Sequence, residues 1–170
     1  MKMIFVSAPA DFDRKALLKL AFQMSKAKSF VHVDFDDVED VEKEMRDATS
    51  ALMTRQVSSD FYEKLEKMLV GILRKPAGTV IISGYASVRI PEIGYAQVLP
   101  EKFFSVFKPD LLVLLEMEGA EEPEVAENHE LDRHYCTSYS LSGGSMIRII
   151  KVKGSKMLDA VKELSDLMKI

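Results

Sequence analysis

Residues 3–18 read MIFVSAPADFDRKALL, and this stretch decides the fold. The apolar run 3–7 ends at Ala8 and Pro9, which predicts a short buried strand. A helix is expected next, over residues 12–27, because apolar side chains recur there every three or four positions. The positions that define this face are Phe12, Ala16, Leu20, Met24 and Ala27. The chain therefore starts with a strand, a turn and a helix.

Four further apolar runs have the length of buried strands, and helical patterns lie between them. The runs are 30–35, 79–83, 111–115 and 146–152, and helices are predicted over 38–52, 60–75, 100–107, 125–141 and 155–168. Strands that are continuously apolar rather than alternating are typical of a parallel sheet covered on both faces. The sequence therefore predicts an α/β fold with a five-stranded, doubly wound sheet. Such folds bind ligands at the carboxyl ends of the strands.

The composition is that of a globular protein. The chain has 170 residues, of which 47% are hydrophobic, and we expect residues 1–170 to form a single domain. The apolar runs are about five residues long, far below the roughly 18 that a membrane helix needs. The opening segment is too short and too acidic for a secretory signal, and the single Cys136 fits a reducing compartment. We therefore predict a cytoplasmic protein without a membrane partner, and the sequence leaves an oligomer open.

The negative charge is concentrated in two segments. The whole chain has a net charge of −4, which argues against nonspecific binding of nucleic acid. Segment 34–44 contains seven acidic residues and one lysine, and segment 116–132 contains eight acidic residues without a lysine or arginine. Both segments begin at the ends of predicted strands, so they are expected near the ligand-binding edge. Segment 116–132 is either a solvated loop or a docking surface for a basic protein partner.

Short motifs along residues 3–168 resemble those of one known family. Pro9 stands in the first turn, Glu44-Met45-Arg46 follows the second strand, and residues 79–91 read TVIISGYASVRIP. The other motifs are Gly94-Tyr95, Leu99-Pro100, Phe107-Lys108-Pro109-Asp110, Asn128-His129-Glu130, Arg133 and Gly143. Together they resemble the archaeal type of adenylate kinase, an enzyme with the P-loop NTPase fold. The resemblance implies a three-layer fold with sheet order 2-3-1-4-5 and phosphoryl transfer from ATP to AMP.

The segment that matches the family's phosphate loop lacks the features that bind phosphate. Residues 7–15 read SAPADFDRK and contain no glycine, although close approach to a phosphate requires glycine. The hydroxyl residues that would hold magnesium are replaced by Arg14 and Lys15. Asp11 or Asp13 is expected to cap the first helix, where its charge would repel a phosphate by about 4 kcal/mol. The degenerate loop positions are Ser7, Pro9, Asp11, Asp13, Arg14 and Lys15. A phosphate site that uses Arg14 and Lys15 remains an alternative.

The segment that matches the family's lid, residues 116–130, is short and acidic. The stretch between Lys108 and Arg133 has no lysine or arginine to stabilise a transferring phosphoryl group. On the acceptor side, guanidinium groups that could bind a monophosphate or another anion remain. They are Arg46, Arg89 and Arg133. Each also has a structural interpretation, as a neutralising or solvated surface charge.

We therefore predict an adenylate-kinase-like protein that has lost ATP phosphate binding and works in binding, regulation or assembly. No catalytic residue and no metal site is assigned, because the acids Asp34, Asp36 and Asp37 lack the spacing of a calcium loop. The alternative is an active kinase of nucleoside monophosphates or small metabolites, with ATP and magnesium as cofactors. A third interpretation is a binding module for a small phosphate-bearing ligand. The sequence favours a protein without enzymatic activity.

Overall fold

Five strands form one parallel sheet in the computed structural model, which describes residues 1–27, 29–75, 78–119 and 122–169. The strands of this sheet are β1 (Lys2–Ser7), β2 (Phe30–Asp34), β3 (Thr79–Gly84), β6 (Leu111–Glu118) and β7 (Met146–Lys153). Their order is β2-β3-β1-β6-β7, and the neighbouring pairs are parallel. When the five strands of this sheet are numbered 1 to 5 along the chain, β6 and β7 are the fourth and fifth, and the order is the predicted 2-3-1-4-5. The predicted fold class is confirmed.

Helices cover both faces of the sheet. They are α1 (Arg14–Ser25), α2 (Phe35–Val38), α3 (Val41–Asp47), α4 (Ala51–Leu73), α5 (Glu101–Phe107), α6 (Pro123–Gly143) and α7 (Met157–Lys169). One core cluster joins α1 and α7 to the sheet through side chains such as Leu18 and Leu164. The other core cluster joins the helices α2, α3, α4, α5 and α6 to the sheet, through side chains such as Phe61 and Phe104. The result is the three-layer arrangement that the strand pattern indicated.

The helical region after β2 differs from the prediction of one helix over 38–52 and another from Asp60. Three side chains that cap backbone amides divide it instead. Asp34 begins α2, Asp40 begins α3, and Ser50 accepts from the Met53 amide to begin α4. Caps of this kind compete with a continuous helix because they give the backbone local hydrogen-bond partners. Helix α4 therefore starts nine residues before Asp60, and the predicted stop at Pro76 lies outside the described residues.

The buried face of α1 was also predicted wrongly. Leu20 and Met24 are 42% and 46% exposed. The residues that point inward are instead Arg14, Leu17, Leu18, Ala21 and Ser25. The apolar residues of α1 are compatible with two faces, and the polar Arg14 and Ser25 at either end of the buried face made the correct one harder to recognise. On α7 the apolar pattern of Leu158, Val161 and Met168 predicts one inward face; Val161 and Met168 are buried, but Leu158 is 71% exposed.

A hairpin that was not predicted lies between β3 and α5. Its strands are β4 (Ser87–Ile90) and β5 (Gly94–Gln97), which pair antiparallel. The turn has positive φ angles of 63° at Glu92 and 132° at Gly94. A short hairpin gives a weak sequence signal because each strand has only four residues.

The carboxyl ends of the parallel strands share one edge of the sheet. Ser7, Asp34, Gly84 and Glu118 end four of these strands. Both acidic segments begin at this edge, as predicted. No helix within the described ranges is long and apolar enough to cross a membrane.

Candidate functional site

The turn after β1 is closed by its own hydrogen bonds. Asp13 is the N-cap of α1, and its carboxylate accepts from the Ala16 amide at 3.1 Å. The Phe12 amide donates to the Pro9 carbonyl at 3.0 Å, and the Arg14 amide donates to the Phe12 carbonyl at 2.8 Å. Amides that a phosphate loop would direct at an anion therefore bind protein oxygen atoms in this turn.

The backbone of the turn does not have the form of an anion nest. A nest needs successive residues that alternate between right-handed and left-handed conformations. Residues 7–15 are all described, and none of them has a positive φ angle. The lack of positive φ angles in residues 7–15 is in line with the absence of glycine from this segment.

Arg14 is bound beneath the turn by a buried carboxylate. Its Nε lies 2.9 Å from Asp34 Oδ2, and its Nη2 lies 2.6 Å from Asp34 Oδ1. The side chains are 4% and 0% exposed, so this bidentate pair is removed from solvent. The guanidinium also lies 5.1 Å from the centroid of the Tyr85 ring. Arg14 is therefore part of the protein core and does not point into an open site.

The carboxylate of Asp34 extends the pair into a polar network at the carboxyl ends of two strands, β2 and β3. Ser83 donates its hydroxyl hydrogen bond to Asp34, and the His32 ring nitrogen Nε2 lies 2.7 Å from Ser83 Oγ. Burial lowers the pKa of His32, although the charge of Asp34 opposes this shift. The ring is therefore neutral at physiological pH. The network links β2, β3 and α1.

Lys15 also has acidic partners. Its Nζ lies 3.1 Å from Asp37 Oδ1 and 3.9 Å from Asp34 Oδ1. Burial acts against the charged form, but the hydrogen bond to Asp37 and the nearby carboxylates raise the pKa of Lys15. The cations Arg14 and Lys15, which the alternative prediction assigned to a phosphate, are both bound by carboxylates here.

Two of the three predicted acceptor arginines line one small cleft. Arg46 and Arg89 face a cavity of about 220 Å³, together with Pro9 and Asp11 from the first turn. Arg46 forms an ion pair with Glu42. The Arg89 guanidinium lies 2.8 Å from a carboxylate oxygen of Glu124. The structure thus joins residues from three predicted groups: the loop, the acceptor arginines and the acidic segment.

The cleft contains more acidic than basic side chains. Its acids are Asp11, Glu122 and Glu124, and its bases are Arg46 and Arg89. In both ion pairs the side chain of the arginine is about half exposed to solvent. Exposed pairs of this kind are worth only about 0–1 kcal/mol, so a ligand can displace them.

Arg133 lies apart from this cleft, in a cluster at the end of β6. Arg133 donates two hydrogen bonds to Glu116, and Lys151 adds a third from its Nζ at 2.8 Å. Burial would raise the pKa of Glu116, but the hydrogen bonds from both cations outweigh it and lower this pKa to about 2. The Arg133 guanidinium is therefore bound by Glu116, the first residue of the acidic segment 116–132.

A buried carboxyl group on α6 was missed by the sequence analysis. Asp132 accepts from the Ser87 hydroxyl at 2.6 Å, and Asn128 donates to the same hydroxyl at 2.9 Å. Burial raises the pKa of Asp132 to about 7. The available signal was the spacing of the inward-facing residues of α6, which are His129, Asp132, Cys136 and Tyr139.

A second cavity, of about 950 Å³, lies between α4, β5 and α6. Four tyrosines line it, namely Tyr62, Tyr95, Tyr135 and Tyr139. Tyr95 lines both this cavity and the smaller cleft. The sequence could not indicate the cavity, because its residues come from separate elements.

The architecture is an α/β fold that resembles the P-loop NTPases. No protein-family model matches the chain. Its sequence is 24% identical over 173 residues to an adenylate kinase of Pyrobaculum aerophilum, covering 91% of this chain and 86% of that protein. The fold is similar to that of a GTPase from Pyrococcus abyssi in its apo form, with a TM-score of 0.53 and 15% identity. That likeness covers 95% of this chain and 71% of the other.

Proposed function

We propose that this chain is an adenylate-kinase-like protein that does not bind ATP phosphates and acts by binding rather than by phosphotransfer. The observation that carries the proposal is the buried pair of Arg14 and Asp34 beneath a turn that Asp13 caps. The turn lies between the first strand and the first helix, which is where a P-loop fold takes up phosphate.

Releasing Arg14 toward a phosphate would be costly. Removing one partner of a buried ion pair costs about 3–5 kcal/mol, because the other charge is left without compensation. A phosphate near Asp13 would also meet about 4 kcal/mol of repulsion at a separation of about 4 Å and an effective dielectric constant near 20. Both costs oppose binding of ATP at the same place.

The acidic segment adds a third argument against phosphotransfer. Transfer of a phosphoryl group requires cations around the developing negative charge. The side chains that this segment contributes to the cleft include Glu122 and Glu124. Their charge opposes the reaction.

The remaining function is binding or assembly in the cytoplasm. The cleft beside Arg46 and Arg89 is the place for a small phosphate-bearing ligand, since both guanidinium groups can exchange an exposed carboxylate for a phosphate. The acidic segment 116–132 would suit a basic protein partner.

The second candidate is an active nucleotide kinase with an unusual loop. It is favoured by the similarity to an adenylate kinase along 91% of the chain and by the joint presence of Arg46 and Arg89 in one cleft. This candidate requires the first turn to rearrange, so that Arg14 leaves Asp34 when ATP binds.

A nucleotide panel distinguishes the two candidates. We expect no conversion of ATP and AMP to ADP in the presence of magnesium, and no thermal stabilisation by ATP. A small phosphate-bearing ligand such as AMP should stabilise the wild-type chain, and Arg89→Ala should remove this effect. Turnover that survives Lys19→Ala but is abolished by Lys15→Ala would overturn the proposal. Both lysines lie on α1 and are exposed, so the variants form a matched pair.

A further inference from the structure

The larger cavity has an unusual share of the tyrosines in the chain. The sequence contains five tyrosines and no tryptophan, and four of the tyrosines line this cavity. The fifth, Tyr85, is buried beside Arg14. Tyrosine offers a planar apolar face and a polar tip, a combination that suits a wall in contact with a ligand.

Three of the aromatic rings near this cavity form a nearly parallel column. Phe104 and Tyr139 stack with ring centroids 3.7 Å apart and an interplanar angle of 9°. Tyr135 continues the column at 6.4 Å from Tyr139, with an angle of 17°. Tyr139 is buried, whereas Tyr135 is half-buried and stands at the end of the column in the cavity wall. A further flat ring would extend the column.

Hydrogen-bonding groups and balanced charges complete the walls. The side-chain amide of Gln97, which lines the cavity, donates to the Leu99 carbonyl at 2.7 Å, and this hydrogen bond holds the side chain in place. Burial raises the pKa of Tyr62 and of Tyr135, so both hydroxyls stay protonated. The charged lining residues are Arg55, Lys102, Glu63, Glu66 and Glu101. These two cations and three anions nearly balance one another, which suits an uncharged ligand.

From this combination we propose that the cavity between α4 and α6 binds a small, uncharged molecule that carries a planar aromatic ring, stacked on Tyr135. The volume of about 950 Å³ lies within the range of small-molecule sites, about 300–1,000 Å³. The ring packs against the tyrosine wall, and polar substituents of the ligand bond to Gln97. The site is separate from the phosphate turn and does not depend on the function proposed above.

Benzamide and cyclohexanecarboxamide test the requirement for a planar ring, because they share the carboxamide and differ in the ring. The full chain is labelled at its tyrosines and titrated with each compound, and the NMR signals are followed. Benzamide is expected to shift the signals of Tyr62 and Tyr135 and to bind at least five times more tightly than its saturated counterpart. Equal affinity, or no shift with benzamide, overturns the proposal.

A variant pair locates the binding. Tyr135→Leu should weaken benzamide binding about two- to tenfold, in line with the usual value of an aromatic pair. Tyr85→Phe, which changes the one tyrosine outside the cavity, should leave it unchanged. Loss of binding in Tyr85→Phe but not in Tyr135→Leu overturns the assignment. If dilution of the ligand-free chain moves the same signals, a second copy occupies the groove and the proposal is wrong. The wild-type comparison of the two compounds needs no variant to fold.

Discussion

Replacing Asp132 by asparagine should stabilise the protein at neutral and alkaline pH. Asp132 is 4% exposed and accepts one hydrogen bond, from the Ser87 hydroxyl. Burial raises the pKa of this carboxyl to about 7; the Ser87 hydrogen bond opposes this shift and the charge of Glu116 adds to it. The D132N variant keeps an oxygen acceptor for Ser87 and removes the ionisation.

The magnitude follows from the difference in pKa between the two states. The unfolded chain releases this proton near pH 3.8, and the folded chain holds it up to about pH 7. Across that window the stability of the wild type falls as pH rises, by about 1.4 kcal/mol for each unit. The full loss is on the order of 4 kcal/mol and is complete slightly above pH 7. D132N should escape this loss, so its advantage grows from near zero at about pH 4 to its maximum by about pH 8.

Urea unfolding at about pH 5, 6, 7 and 8 measures the effect as the difference between D132N and wild type. Taking the difference cancels the contributions of His32 and His129, whose pKa values burial lowers. Asp47→Asn, at an exposed position of α3, is the matched control and should show no pH-dependent gain. A constant difference between D132N and wild type over this range would refute the reasoning.

Four further substitutions test other parts of the structure. Asp13→Ala should lower the free energy of unfolding by about 1 kcal/mol through loss of the helix cap, as measured in urea. Gly84→Ala should destabilise by about 2 kcal/mol or more, because the added Cβ would lie 2.3 Å from the Phe35 ring. Gly71→Ala, with open space at that site, should instead stabilise by about 0.5–1 kcal/mol, and equal effects at the two glycines would contradict the packing. Glu116→Gln should be less stable than wild type at neutral pH. That gap should close as pH falls through the window from 4.5 to about 2, since the pKa of Glu116 is lowered in the folded state.

The sheet could be predicted from the sequence because its central strands β1, β3 and β6 contain continuous apolar runs. Residues 79–83 and 111–115, for example, became β3 and β6 with little change of boundary. Sheet order came from the resemblance to adenylate kinases and was confirmed. Local sequence patterns were therefore enough to predict the strands, whereas the order of the strands could be predicted only from the resemblance to a known family.

The helix faces were harder to predict, since a polar residue can occupy an inward position. Arg14 is 3% exposed, but an apolar pattern counts it as a surface residue. Its partner Asp34 is 20 positions away, and nothing in either local sequence indicates the pair. Asp132 shows the same limitation on α6. Buried polar groups depend on contacts between elements, which periodicity does not describe.

The candidate sites differ in how much the sequence could show. The Asp13 cap follows from residue type and position, so one of the two predicted aspartates was found in that role. The structure brings Arg46 and Arg89 into one cleft, and their role as acceptor-side arginines stays a prediction. The tyrosine-lined cavity gave no signal, because its four rings come from α4, β5 and α6.

Under the proposed function, the buried pair predicts that no single substitution would give the first turn a phosphate site. A glycine in place of Asp13 would remove one negative charge and add backbone freedom, but Arg14 would still be bound to Asp34. Removing the Asp34 carboxylate would free Arg14 but would leave Ser83 without its acceptor and a buried cation without a partner. Each step toward an anion site thus lowers stability before any phosphate can compensate for it. The hydrogen bonds among Arg14, Asp34 and Ser83 are made within the protein, which supports the proposed structural role of the turn.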